Sequence, residues 1–187
     1  MARGVTIIEI LVVLAIFAII SGVVFFNFRG FNDVMYLERL THDIASQIEE
    51  AKRAAISGED PASFLGICSS TSKPCKPSYG VHFDQSASPN IISYFRDQDN
   101  NSSFDDPNEL IRAFNPPTGY SIEDICFDGN AVCPSNELTV VFTRPFPDTA
   151  LSSPSGPISN MAEIKVISPD GYKRTIAVYI TGQVSVR

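Results

Sequence analysis

A single acidic residue, Glu9, lies inside an otherwise apolar run from Val5 to Phe26, close to the start of this 187-residue chain. An ionised side chain at membrane depth costs about 3 kcal/mol on insertion scales, and it persists where a partner of opposite charge is supplied. No charged residue occurs between Ile10 and Phe26. The balancing cation therefore has to come from another chain or from a newly made amino terminus.

The apolar run has the length of a membrane span. As a helix, Val5 to Phe26 measures about 33 Å, close to the hydrocarbon thickness of a bilayer. An ordinary secretory signal has a shorter apolar core with a small-x-small cleavage site beyond it, and the Ser21-Gly22 region fits that pattern only loosely. The sequence therefore predicts that residues 5–28 are the transmembrane half of a helix.

The helical pattern continues over residues 29–57, where its character becomes amphipathic. Gly58 is a plausible carboxyl-terminal cap, and Pro61 forbids continuation. We therefore predict one helix of about fifty residues, embedded first in lipid and then in a globular domain. Apolar residues recur at intervals of three and four along its second half, and they are Val34, Leu37, Leu40, Ile44, Ile48, Ala51 and Ala55.

From Cys68 onward the hydrophobic period changes to two, which is typical of strands. Because no helical segment remains to make parallel crossovers, the strands are predicted to be antiparallel. Residues 62–187 are therefore predicted to form one β-rich domain, and the fold class is α+β with the long helix packed on antiparallel sheet. Ser69–Ser78 and Pro145–Asn160 are rich in Ser and Pro, and the second is predicted to be a mobile surface loop. The predicted strands are Tyr79–Asp84, Asn90–Arg96, Leu110–Phe114, Tyr120–Cys126, Glu137–Thr143, Ala162–Ser168, Thr175–Ile180 and Gln183–Arg187.

The four cysteines form two equally spaced pairs, Cys68 with Cys75 and Cys126 with Cys133. Four cysteines allow three connectivities. In a domain exported to an oxidising compartment, disulfides are favoured over a zinc site, whose paired ligands usually lie closer together. Each pair flanks a turn-rich stretch, which favours the local disulfides Cys68–Cys75 and Cys126–Cys133.

Oxygen-bearing side chains alternate in one loop in the manner of calcium ligands, at Asp97, Asp99, Asn101 and Asp105. The pattern departs from an EF-hand, because Ser102 replaces the expected glycine and Asn108 replaces a bidentate glutamate; Asp106 and Glu109 lie nearby. Loops rich in Asn and Asp are also common without metal, since their side chains bond their own backbone. The prediction is therefore no cofactor, with calcium as the alternative.

Catalytic and nucleic-acid-binding patterns are missing from the sequence. His42 and His82 are the only histidines, and no Ser/His/Asp or Cys/His arrangement or phosphate-binding glycine loop is present, so the protein is not predicted to be an enzyme. The net charge of −7 argues against phosphate binding. Lys173, Arg174 and Arg187 can gather at one end of the sheet, where charges protecting a strand edge are the favoured interpretation.

The sequence Gly-Val-Thr-Ile-Ile-Glu from Gly4 to Glu9, followed by the Ile/Leu/Val/Ala run, resembles the prepilin signal of type IV pilins and type II secretion pseudopilins. The resemblance implies that residues 1–4 are a leader, which a membrane prepilin peptidase removes on the cytoplasmic face between Gly4 and Val5. It also implies N-methylation of Val5, where the family usually has Phe, and docking of the subunit into a filament by Glu9.

The carboxyl terminus, Ile180 to Arg187, is similar to that of the minor pseudopilins known as GspH or FimT-like. In DNA-binding members of that group, two arginines bracket one residue just after the glycine. Gln183 and Ser185 occupy those places here, so DNA uptake is not implied.

Together the resemblances imply a structural subunit of a type IV pilus or type II secretion pseudopilus, in the role of a minor subunit in filament assembly and protein secretion. The implied partners are other pilin subunits, the prepilin peptidase, the inner-membrane assembly machinery and, before assembly, membrane lipid. The protein would cross the inner membrane once with its carboxyl-terminal domain outside, and then join a periplasmic or surface filament. An adhesive, ligand-binding or DNA-binding minor pilin and a plain membrane-anchored domain are the alternatives.

Overall fold

A computed structural model describes residues 4–57, 78–87, 90–99, 101–129, 133, 135–143 and 148–187, with the backbone alone for 24–31 and 148. Within these ranges the chain forms one long helix, α1 (Ile7–Ser57), a 3-10 turn (Pro107–Glu109) and ten strands. The strands are β1 (Ser78–Asp84), β2 (Ile91–Asp97), β3 (Leu110–Phe114), β4 (Ser121–Phe127), β5 (Glu137–Thr143), β6 (Asp148–Ser153), β7 (Gly156–Pro157), β8 (Met161–Ile167), β9 (Lys173–Tyr179) and β10 (Val184–Val186).

Helix α1 is continuous over 51 residues, and Thr6 sets its beginning. The carbonyl oxygen of Thr6 accepts hydrogen bonds from the amides of Glu9 at 3.1 Å and Ile10 at 3.3 Å. Its hydroxyl oxygen lies 3.4 Å from the Glu9 amide, as in a helix N-cap. The predicted end signals, Gly58 and Pro61, lie outside the described residues.

The described strands form two sheets in which all pairs are antiparallel. One sheet has the order β3-β2-β1-β5-β6-β7, and the other has the order β10-β9-β8-β4. A bridge between Ile125 and Ser135 links β4 to the segment before β5. The eight predicted strands are present with ends shifted by at most two residues. The α+β class with a long helix on antiparallel sheet is therefore confirmed.

The second half of α1 packs against strands of both sheets, namely β1, β5, β8, β9 and β10. Of the predicted apolar stripe, Val34 is half-buried and the other six residues are buried. These six buried residues belong to one hydrophobic core with strand residues that include Val81, Phe83, Val140, Ile164, Ile176 and Val178.

Polar contacts tie the same half of α1 to the domain. The Lys52 ammonium group donates a hydrogen bond of 2.7 Å to the carbonyl of Gly182, in the turn before β10. The helix also contacts the domain through three further pairs: Glu50 with Arg112 at 3.0 Å, Glu38 with Arg174 at 3.4 Å, and Asp33 with the Tyr120 hydroxyl at 3.3 Å. These contacts reach both sheets, so they fix the helix over the core.

The prediction of a mobile loop at Pro145–Asn160 is wrong for the described residues from 148 onward. Strand β6 pairs with β5 and turns back into β7, and Leu151 and Ile158 are buried in the core. The Ser- and Pro-rich composition reflects the tight turn between the two strands, in which Gly156 has a positive φ of 127°. Apart from Ser78, which begins β1, the predicted loop Ser69–Ser78 lies outside the described residues.

Candidate functional site

The predicted processing site lies at the exposed amino-terminal end of the described chain. Gly4 and Val5 precede the first helical residue, Ile7, and both are exposed. The Gly4–Val5 peptide bond is therefore outside the helix, so its cleavage would leave the Thr6 cap and the hydrogen bonds of α1 intact.

Glu9 occupies the first turn of α1 and is exposed. A carboxylate at this position is favoured by the helix dipole, because the free amides of the first turn carry partial positive charge. Among the ion pairs formed by the described residues, none involves Glu9. Its charge is thus available to a cation from outside the described chain.

The apolar side chains around Glu9 are exposed on all sides of the helix. From Ile7 to Val23 the large aliphatic and aromatic side chains have exposed fractions between 51% and 81%. A helix that is apolar all round is normally buried in protein or in lipid, and covering each such side chain is worth about 1.5–3 kcal/mol. The first half of α1 therefore has an apolar surface of the kind that is normally covered by protein or lipid.

Among the residues that the structure describes, no helix is both long enough and apolar enough to cross a membrane.

The disulfide Cys126–Cys133 is present in the structure. It joins the buried end of β4 to the segment before β5, next to the Ile125–Ser135 bridge. Cys68 and Cys75 lie outside the described residues, so their pairing stays a prediction.

The predicted calcium loop connects β2 to β3, and the structure brings its carboxylates together in a different combination. Asp97, Asp99 and Glu109 each place a carboxylate oxygen within 4.8 Å of the other two. Asn101 and Asp105 are outside this group of three, and the Asn101 side-chain nitrogen donates hydrogen bonds of 2.9 Å to Asp105 and to Asp99. Glu109 was not among the predicted ligands. Its acidic side chain and its place directly before a strand were the available signals.

Three cations of the four-stranded sheet, at the beginning of β9 and just after β10, each pair with a glutamate. Lys173 contacts Glu123, Arg174 contacts Glu38, and Arg187 contacts Glu163 at 3.9 Å while donating a 2.7 Å hydrogen bond to the Tyr179 hydroxyl. Their charges are thus locally balanced by carboxylates of α1, β4 and β8. This arrangement gives no support to a phosphate-binding surface.

The two histidines occupy different surroundings. His42 is exposed on α1, whereas His82 on β1 is half-buried, with its Nδ1 atom 2.9 Å from the Thr139 hydroxyl and its ring beside Phe104. Burial lowers the pKa of His82, although the charges of Glu137 and Asp84 act in the opposite direction. The contacts of His82 are those of a packed, hydrogen-bonded side chain between strands.

The family model of the prokaryotic N-terminal methylation motif matches residues 1–25. This stretch contains Gly4, Val5 and Glu9, and it is the prepilin-type signal of type IV pilins and pseudopilins. No curated protein and no solved structure matches the chain. The similarity of the carboxyl terminus to GspH or FimT-like proteins stays a prediction.

The motif supports a type IV pilin- or pseudopilin-like subunit, and the family it marks is structural rather than enzymatic. A prepilin-type signal implies anchoring in a membrane and assembly into a filament. It also implies association with other pilins and with a prepilin peptidase.

Proposed function

We propose that this protein is a minor structural subunit of a type IV pilus or type II secretion pseudopilus, and that it acts in filament assembly and protein secretion. One observation carries the proposal: within the methylation motif, Glu9 is an exposed acid in an exposed apolar helix and has no basic partner among the described residues. The described domain provides neither a counter-charge for Glu9 nor packing contacts for the apolar side chains around it.

Processing would supply the missing charge. Cleavage between Gly4 and Val5 creates a positively charged amine at Val5, and methylation by the same class of enzyme keeps that charge. When two subunits lie side by side, the amine of one can pair with Glu9 of the other. Because an unpaired carboxylate is costly in an apolar setting, this pairing makes correct docking more favourable than a misaligned one.

Before assembly, the apolar half of α1 would lie in the inner membrane with the β-rich domain outside. The support is the run from Val5 to Phe26, interrupted only by Glu9 among charged residues, together with the methylation motif. During assembly the inner-membrane machinery would exchange lipid for neighbouring helices around the same side chains. A single apolar surface thus serves both as anchor and as filament contact.

The second half of α1 would transmit the position of the helix to the domain. Its apolar stripe is part of the core, and the contacts of Glu38, Glu50 and Lys52 join it to both sheets. The β-rich domain therefore has to follow the helix into the filament. The alternative of a DNA-binding subunit is less favoured, because Lys173, Arg174 and Arg187 are each paired with a glutamate.

Intact-mass spectrometry of the protein extracted from membranes tests the proposal. We expect the mass of a chain that begins at Val5 and carries one added methyl group. A Gly4→Leu variant should keep its leader, because the bulky side chain blocks the peptidase, whereas a Gly22→Ala variant should be processed normally. A mature chain that begins at Met1, or at a residue beyond Ser21, would contradict the proposal.

A further inference from the structure

The loop between β2 and β3 gathers three carboxylates at its base. Asp97 is the last residue of β2, and Glu109 is the last residue of the 3-10 turn that leads directly into β3. Together with Asp99, these residues place carboxylate oxygens within 4.8 Å of one another. Asp97 is 0% exposed and Glu109 is 3% exposed, so water screens two of the three groups poorly.

Glu109 carries the observation that points to a ligand. Its Oε1 atom accepts a hydrogen bond of 2.9 Å from the Gln98 amide. Its Oε2 atom is buried and has no hydrogen-bond partner among the described residues. Since buried polar atoms nearly always have a partner, an orphaned carboxylate oxygen beside two other carboxylates indicates a missing positive group.

We propose that Asp97, Asp99 and Glu109 bind a calcium ion, which joins the end of β2 to the beginning of β3. All three donors are carboxylate oxygens, which favour a hard cation over zinc or copper. The donors come from a loop and two element ends rather than from a symmetric cage. Such an irregular set suits calcium, which takes six to eight oxygens in flexible geometry, better than magnesium, which demands a near-ideal octahedron.

Asn101 lies beside the carboxylate cluster and bonds one of its members, Asp99. Its side-chain nitrogen donates hydrogen bonds of 2.9 Å to Asp99 and to Asp105. Its side-chain oxygen accepts a hydrogen bond of 2.7 Å from the Ser103 amide. Asn101 therefore holds two acids of the loop in place as a hydrogen-bond donor.

Electrostatics at Glu109 agree with a cation site. Glu109 is buried, and its carboxylate lies within 4.8 Å of those of Asp97 and Asp99. Like charges held this close and poorly hydrated repel one another, so the cluster is unfavourable without a compensating positive charge. A calcium ion would supply that charge and stabilise the loop in its folded arrangement.

Thermal unfolding of the full-length chain in detergent, with calcium, with magnesium and with chelator, tests the proposal. We expect calcium to raise the unfolding midpoint by roughly 5–10 °C when it is a hundredfold above its dissociation constant, and magnesium to raise it less. Glu109→Gln keeps the size and the Oε1 acceptor of the side chain but removes its charge, so it should abolish the calcium-dependent rise. Asp99→Asn should do the same.

Asp106→Asn is the matched control, because Asp106 lies in the same loop but outside the three-carboxylate cluster. This variant should keep the full calcium-dependent rise. Glu109→Gln should still unfold cooperatively in chelator, at a midpoint equal to or above that of the wild type, since a buried charge has been removed. The absence of a calcium-dependent rise in the wild type, or an equal rise in Glu109→Gln, would overturn the site.

Discussion

The two halves of α1 contain similar apolar residues but differ in what covers them. In the first half, Ile16 is 52% exposed, and its neighbours on every side of the helix are exposed as well. In the second half, Ile44 is 0% exposed and belongs to the core shared with the sheets. The helix is continuous between them, so backbone structure does not distinguish the two halves.

This difference shows that the halves obtain their stability from different sources. Tertiary packing supplies most of the stability of protein helices, because propensity alone is marginal in water. The second half of α1 obtains that packing from its own domain. The described domain does not supply it to the first half, where the methylation motif lies.

The largest expected contrast comes from one substitution made in each half. Ile44→Ala should lower the free energy of unfolding of the domain by about 2–5 kcal/mol, because it leaves a cavity in the core. Ile16→Ala should change it by less than about 0.5 kcal/mol, as surface substitutions usually do. Chemical denaturation in detergent, followed by tyrosine fluorescence, measures both. Equal losses would mean that the first half also packs on the domain.

Substitutions of two glycines, one in each part of the molecule, should differ less in their effect on domain stability. Gly182 has a φ of +75°, and an added Cβ would lie 3.0 Å from the Thr149 hydroxyl oxygen. Gly182→Ala should therefore cost about 1–2 kcal/mol of domain stability. An added Cβ at Gly22 would meet nothing within 4 Å, so Gly22→Ala should leave the domain unchanged. A domain destabilised by Gly22→Ala would contradict the separation of the halves.

The smallest effect is a pH dependence confined to the domain, because residues 5–26 contain no histidine. Burial lowers the pKa of His82 in the folded state, so the unfolded chain binds the proton more readily. The stability contributed by neutral His82 is complete above about pH 6.5 and is lost as the pH falls below that value.

The measurement is the unfolding midpoint of the wild type and of His82→Gln at about pH 7.5 and about pH 5.5. The variant should lose less stability on acidification than the wild type. Comparing the two chains is necessary, because the pKa of Glu109 is raised in the folded state and its contribution grows as the pH falls. Identical losses would show that His82 does not titrate differently in the folded chain.

The sequence predicted most of the fold because periodicity follows directly from burial on one face. Leu40, Ile44 and Ile48 repeat with the helical period and are all buried. In β8, buried Ala162, Ile164 and Val166 alternate with half-buried residues, and the strand was predicted within one residue. The methylation motif was recognisable for a related reason, since an acid in an apolar run has no role in an ordinary core.

The sequence did not reveal features that depend on pairing between strands far apart in the chain. Strand β6 is rich in Ser and Thr, so the sequence does not show the alternation that marks a strand. Its pairing with β5 is seen only in the structure. The division into two sheets depends likewise on which strands become neighbours. Glu109 was not placed in the carboxylate cluster because an EF-hand pattern puts the last carboxylate one residue earlier, whereas the 3-10 turn brings Glu109 beside Asp97 and Asp99 here.

Incorporation of a Glu9→Gln variant into filaments tests whether the charge of Glu9 is needed for docking of the subunit. The wild type, Glu9→Gln and Asp43→Asn, an exposed acid on the second half of α1, are expressed in cells that hold the assembly machinery. Their amounts in the sheared-filament and membrane fractions are then compared. We expect Glu9→Gln to reach the membrane with a normally folded domain but to be lost from the filaments, while Asp43→Asn is incorporated like the wild type. Normal incorporation of Glu9→Gln would show that the Glu9 carboxylate is not needed for docking.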